Sequence, residues 1–187
     1  ESVGFENIYE KVTVYNESIT LSLGGIMQRE NAALAVKAAE VLNIDEKSII
    51  YGLSHAQNPA RFEELSHNIY FDGAHNPGGA KALKESIEKY MQYEKKAFII
   101  GVMKDKEFKE MLEILKDDNS KFYFTDVTGN ERAMPKEEMD KIALSIGINS
   151  SVVPDIKTGI EKATPKAEKI IICGSLYMYK QAIFLKN

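Results

Sequence analysis

The sequence predicts an α/β fold: a mostly parallel six-stranded sheet with helices on both faces, its first strand antiparallel, preceded by a small partial α+β segment. Three observations predict it. From residue 61 onward, short strand-like runs alternate with helical stretches, a pattern that calls for crossover connections and hence parallel strands. The first two of these runs are separated only by Ser66-His67, which suits a hairpin at one edge. Residues 1–58 read differently: two short alternating strands and two helices, which together hold only a small core.

In chain order, residues 11–15 and 18–23 alternate like strands, and Gly24-Gly25 breaks the second. An alanine-rich helix of high intrinsic propensity follows over 28–42. A second helix is expected over 45–55, with Asp45 as its N-cap. Asn58-Pro59-Ala60 reads as a linker, because the residue before a proline is pushed towards extended geometry. Strands are then expected at 61–65, 68–72, 97–102, 121–125, 150–153 and 169–173, and helices at 77–91, 106–115, 136–145, 156–163 and 176–185. The chain thus divides into residues 1–58, expected to be the tail of a larger domain whose front half lies outside the sequence, and residues 59–187, a Rossmann-like α/β domain. The opening Glu-Ser-Val-Gly, without an initiator Met or an apolar h-region, reads as the edge of a fragment and not as a signal peptide.

Bulk properties narrow the function classes. A hydrophobic share of 44% with 28% charged residues fits a globular protein. The net charge of -4 offers no general attraction to nucleic acid or to an anionic membrane, and neither is expected as a partner. No apolar run approaches the ~20 residues that span a bilayer. The single cysteine, Cys173, excludes an internal disulfide, fits a cytoplasmic location, and reads as a core residue within the run Ile170-Ile171-Ile172.

In an open α/β sheet, ligands bind beyond the carboxyl ends of the strands. After the second strand of the main domain comes Asp72-Gly73-Ala74-His75-Asn76-Pro77-Gly78-Gly79. Gly73 permits a tight turn near a ligand, Asn76 and Pro77 start a helix, and that helix N-terminus attracts an anion. Asp72 and His75 would face one crevice; the plainer reading makes Asp72 a turn cap and His75 a solvated loop residue. After the third strand, Asp105 either caps the next helix or joins the crevice. After the last strand, Ser175 stands both where an N-cap is expected and where a substrate carboxylate would meet hydroxyl and backbone donors. The phosphate loop G-x-x-x-x-G-K-[ST] and the dinucleotide fingerprint G-x-G-x-x-G do not occur, and the histidines and the cysteine show no zinc spacing, so no metal site is expected in this chain.

Four segments resemble the folylpolyglutamate synthase and dihydrofolate synthase family of the Mur ligase superfamily. They are residues 25–35 around Asn31, Ala60-Arg61-Phe62-Glu63, Asp72-Gly73-Ala74-His75-Asn76-Pro77, and Ile172-Cys173-Gly174-Ser175-Leu176-Tyr177, with Asp105-Lys106 as weaker support. The third is the most specific and favours the folate branch. Met27 departs from the family's usual His and Ala60 from its frequent Gly; neither falls on Asn31, Arg61, Asp72 or His75, and Ala60 is expected to alter the hinge before the C-terminal domain.

The resemblance implies an ATP-dependent ligase that joins L-glutamate to a folate or to dihydropteroate through an acyl phosphate. It implies Asn31 at the adenine, Asp72 at the ribose, Arg61 at the phosphates, and His75 and Ser175 at the incoming glutamate or the transferring phosphoryl group, with Asp72 and His75 as the catalytic pair. It also implies ATP and Mg²⁺ as cofactors, a preceding P-loop domain of the same polypeptide that carries the magnesium ligands, and a monomer. Two alternatives stay open: a Mur-type amino-acid ligase fragment, and a non-catalytic α/β binding domain. Loss of about three charge-assisted phosphate contacts at ~2 kcal/mol each would weaken ATP binding roughly 10⁴-fold, so the chain alone is expected to be inactive.

Overall fold

The structure, a computed structural model, describes residues 8–186. Strands β1 (Tyr9–Val14) and β2 (Glu17–Gly24) form an antiparallel hairpin. Its two-residue turn, Tyr15-Asn16, has φ of 48° and 67°, the left-handed pair that matches strand twist in a tight hairpin. Helix α1 (Gln28–Val41) and helix α2 (Glu46–His55) follow. Asp45 caps α2 as expected, accepting the Ser48 N–H at 3.0 Å. Helix α1 has no side-chain cap and fully buries only Ala32, leaving Leu34, Val41 and Leu42 70%, 81% and 71% exposed. Its apolar side chains therefore find little to pack against among the described residues.

The second sheet has the order β3-β4-β8-β5-β6-β7, formed by β3 (Glu63–Ser66), β4 (Ile69–Phe71), β5 (Lys96–Ile100), β6 (Ser120–Phe124), β7 (Ser150–Val152) and β8 (Lys169–Cys173). Only the β3–β4 pair is antiparallel. Both faces of the sheet are covered, so its central strands carry continuous apolar runs. In β5, Phe98 and Ile100 enter one core with Leu83 and Ile87 of α3 (Pro77–Tyr90), Leu112 of α4 (Phe108–Leu115) and Met139 of α5 (Lys136–Ser145). Ala97 and Ile99 enter the opposite core with Ile156 of α6 (Ile156–Ala163) and Met178.

The main departures from the sequence expectations are at four boundaries, beside shifts of one or two residues elsewhere, as at β1 and β5. Strand β3 starts at Glu63, not at residue 61, because Ala60 and Phe62 hold left-handed backbone, with φ of 65° and 44°. The hairpin turn is His67-Asn68, not Ser66-His67, with Asn68 supplying a φ of 62°. Helix α4 starts at Phe108: Asp105 does not cap it but pairs with Lys106 at 3.2 Å and Arg132 at 3.1 Å. The expected C-terminal helix is a 3₁₀ turn (Leu176–Met178), one turn of α-helix (Tyr179–Ala182) and another 3₁₀ turn (Ile183–Lys186). Ser175 tightens the first of these, its hydroxyl accepting the Tyr177 N–H and its carbonyl the Met178 N–H.

Candidate functional site

The site begins with the end of β4. Apolar packing of Tyr70 and Phe71 carries Asp72 to the carboxyl edge of the sheet, where its two oxygens accept different backbone amides. Oδ1 takes the Ala74 N–H at 2.8 Å, which shapes the turn, and Oδ2 takes the Phe62 N–H at 2.9 Å, which ties the linker to the strand end. Burial pushes the Asp72 carboxyl above its ordinary pKa, against the opposing pull of those two amides and of the Arg61 and His75 charges. A side chain at residue 73 would be crowded: a Cβ there would lie 2.4 Å from Leu176 Cδ2, which would have to swing aside, and 3.2 Å from the Ala60 carbonyl, which accepts the Gly73 N–H.

His75 Nδ1 lies 2.7 Å from the Gly73 carbonyl. A carbonyl only accepts, so Nδ1 carries the proton, and in the neutral ring Nε2 holds the lone pair. Asn76 then caps α3 by accepting the Gly79 N–H at 2.8 Å, and Pro77 occupies the first turn. The positive end of the α3 dipole faces the same space.

That space is a cavity of about 590 Å³, walled on one side by the β2–α1 junction and on the other by β4 and α3. Asn31, Arg61, Asp72 and His75 all line it, although they come from a helix, a linker and a post-strand loop. Ser175 does not line it: it is 3% exposed, and its hydroxyl serves the 3₁₀ turn. A volume of this size, with a guanidinium, an imidazole and a helix N-terminus on its wall, fits an anionic ligand as large as a nucleoside triphosphate. Among the described residues, no group of three or more His, Cys, Asp or Glu is placed to hold a metal ion. No helix of the described residues is long and apolar enough to cross a membrane.

Several site residues escaped the sequence reading. Ser86, on α3, is 4% exposed and accepts the Ile26 N–H at 3.2 Å, fastening the β2–α1 junction to the main domain. Glu10, 8% exposed on β1, accepts hydrogen bonds from Lys89 and Tyr90 of α3 and lies 3.9 Å from Arg29. Burial alone would raise the Glu10 carboxyl, but the Lys89 and Tyr90 hydrogen bonds together with the Lys89 and Arg29 charges outweigh it and hold the pKa below its ordinary value. The hydrogen-bonded pairs lie 60 to 80 residues apart, and no local pattern announces them. The Ser86 hydroxyl on an otherwise apolar helix face was the one signal available.

An open, mostly parallel sheet with an edge hairpin, and a crevice at the carboxyl end of its strands, define a doubly wound α/β domain, a class whose crevice is where ligands commonly bind. The chain belongs to the dihydrofolate synthetase C-terminal domain family, whose model matches residues 55–185. It is 30% identical over 169 residues to the dihydrofolate synthase/folylpolyglutamate synthase of Bacillus subtilis, covering 86% of this chain and 39% of that protein. It aligns with the solved folylpolyglutamate synthase of Thermotoga maritima at 30% identity and a TM-score of 0.72, over 87% of this chain and 39% of that one. The fold also matches a Mycobacterium tuberculosis folylpolyglutamate synthase solved with ADP and AMPPCP, at a TM-score of 0.81 and 21% identity, over 96% of this chain and 47% of that one. The chain therefore spans less than half the length of the relatives it matches.

Proposed function

We propose that residues 59–187 are the C-terminal α/β domain, and residues 1–58 the end of the preceding ATPase domain, of an ATP-dependent ligase. This ligase adds L-glutamate to a reduced folate or to dihydropteroate. The observation that carries the reading is the convergence of Asn31, Arg61, Asp72 and His75 on one 590 Å³ cavity between the two segments. Family membership and the Bacillus subtilis relative's name support the substrate class.

ATP supplies the phosphoryl group that converts the acceptor's carboxylate into an acyl phosphate, from which the glutamate amine displaces phosphate. In this reading Asn31 holds the base, and the Asp72 loop holds the ribose. The Arg61 guanidinium neutralises charge developing on the phosphates, where positioning and electrostatics supply most of the rate. His75, with Nδ1 committed to the Gly73 carbonyl, offers Nε2 to the transferring phosphoryl group or the incoming glutamate. Ser175 acts from behind, by shaping the 174–178 turn against Gly73. The Mg²⁺ that the family resemblance implies would be held by the preceding P-loop domain; among the described residues no group of three or more His, Cys, Asp or Glu is placed to hold a metal ion.

The test is an ATP- and L-glutamate-dependent ligation assay on the complete polypeptide, offering dihydropteroate and tetrahydrofolate separately. His75→Ala and Asn31→Ala are each expected to lower kcat/KM at least tenfold, about 1.4 kcal/mol, with the melting temperature unchanged. Full activity in both variants would remove the cavity from the reaction. Activity on neither pterin would exclude the folate branch.

A further inference from the structure

Arg61 stands on an unusual piece of backbone. Its neighbours Ala60 and Phe62 both have positive φ, 65° and 44°, where a side chain is strained. Such a conformation persists only where the surroundings over-determine it, and here four contacts do so. The Ala60 N–H donates to Glu63 Oε2 at 2.8 Å, and the Ala60 carbonyl accepts the Gly73 N–H at 2.8 Å. The Phe62 N–H is held by Asp72, and the Phe62 ring is buried against Tyr70, with centroids 5.7 Å apart.

Arg61 itself makes no hydrogen bond or ion pair with any described residue. It has two places to lie. One is the 590 Å³ cavity; the other is a smaller cavity of about 270 Å³ on the far side of the linker, whose wall includes Glu63 and Lys186. A carboxylate two residues from a guanidinium is the natural partner to capture it. Glu63 is already engaged, through the Ala60 N–H, the Lys186 ammonium and the Tyr179 hydroxyl. Burial would raise the Glu63 carboxyl, yet these partners leave its pKa below the ordinary value, so it stays ionised and satisfied without Arg61.

We propose that Glu63 and Lys186 are positioning residues that set the left-handed linker and keep the Arg61 guanidinium free for the larger cavity. Neither touches the ligand; both act through Arg61. The proposal rests on the reading of Arg61 as a phosphate ligand, and its test separates the two.

The complete polypeptide is titrated with AMPPCP in the presence of Mg²⁺, as wild type, Arg61→Ala, Glu63→Ala, Lys186→Met and Arg61→Ala/Glu63→Ala. Arg61→Ala is expected to raise Kd about 10- to 100-fold, the range for a charge-assisted hydrogen bond. Glu63→Ala is expected to raise it about tenfold in the wild-type background but less than twofold when Arg61 is already absent. Lys186→Met, a change in an exposed side chain that leaves the linker hydrogen bonds intact, is expected to weaken binding by freeing Glu63 to capture Arg61, even if Glu63→Ala folds poorly. Losses that multiply in the double variant, or wild-type affinity in both Glu63→Ala and Lys186→Met, would overturn the positioning role while leaving Arg61 as a ligand. Wild-type affinity in Arg61→Ala, or no binding by the parent, would overturn the phosphate reading and the clamp with it.

Discussion

Asp72 shows how a single side chain can tie together two segments that line the cavity. Its two oxygens hold the amides of Phe62 and Ala74, so the loop that lines the cavity and the linker that presents Arg61 meet on one carboxylate. Burial dominates its electrostatics and raises its pKa in the folded state. The folded protein therefore binds the proton more tightly than the unfolded chain. The resulting stability is complete below the ordinary Asp value and is lost as pH rises through the raised folded value. Ionising the buried carboxyl is thus a cost that its backbone hydrogen bonds reduce without cancelling. Asp72→Asn replaces one acceptor by an amide donor facing a backbone N–H, which is expected to cost about 1–3 kcal/mol. Because the variant no longer ionises, its deficit relative to wild type should shrink between pH 3.5 and pH 7. Urea unfolding of both proteins across that range checks the sign; a deficit that grows with pH would mean that ionisation of Asp72 stabilises the fold. The string Asp72-Gly73-Ala74-His75-Asn76-Pro77 was readable as a candidate site because every residue type in it suits a turn, a cap or an anion. The partner of Asp72 across the linker was not readable, since nothing local ties residue 72 to residue 62.

At the scale of elements, caps and apolar runs were legible, while tertiary strain was not. The Asn76 and Asp45 caps sit where their residue types place them, and the runs at β5 and β8 read directly as buried strands. Phe62, by contrast, favours extended structure on propensity, and it is left-handed only because Asp72 holds its amide and a buried pocket holds its ring. The 176–185 segment read as a continuous helix because its composition permits one; the hydrogen bonds of Ser175 decide for a 3₁₀ turn instead. The turn before it is the least forgiving junction of the sheet. Gly174 has φ of 105°, and a Cβ there would stand 2.6 Å from the Gly101 carbonyl oxygen. The Gly174 N–H also donates to the Ala74 carbonyl, joining the ends of β8 and β4. Gly174→Ala combines backbone strain with a backbone clash and should destabilise the protein by roughly 3 kcal/mol or more. Differential scanning calorimetry checks this, and a melting temperature within a degree or two of wild type would mean that the turn can relax.

The whole molecule is unequal in its packing. The six-stranded sheet buries both faces, whereas α1 and α2 fully bury only Ala32 and Ile49 and leave Leu34, Val41, Leu42 and Tyr51 at least 65% exposed. Local opening is easiest where few apolar contacts resist it. What fastens the first segment to the main domain is partly apolar, Ile8 and Tyr9 packed against the main core, and partly polar: Glu10 with Lys89 and Tyr90, and the Ile26 N–H with Ser86. The cavity lies along this seam, so one of its walls is only as firm as those contacts. In the isolated chain, limited proteolysis should therefore cut within α1 and α2 well before the sheet, and addition of ATP at micromolar levels should not protect those sites. In the complete polypeptide the same helices should resist cleavage, and ATP should increase the resistance further, because a ligand bridging both walls stabilises the closed arrangement by mass action. Equal resistance of residues 8–58 and 59–186 in the isolated chain would show that the exposed apolar faces need no further partner. Micromolar protection by ATP there would show that this half of the site binds nucleotide unaided.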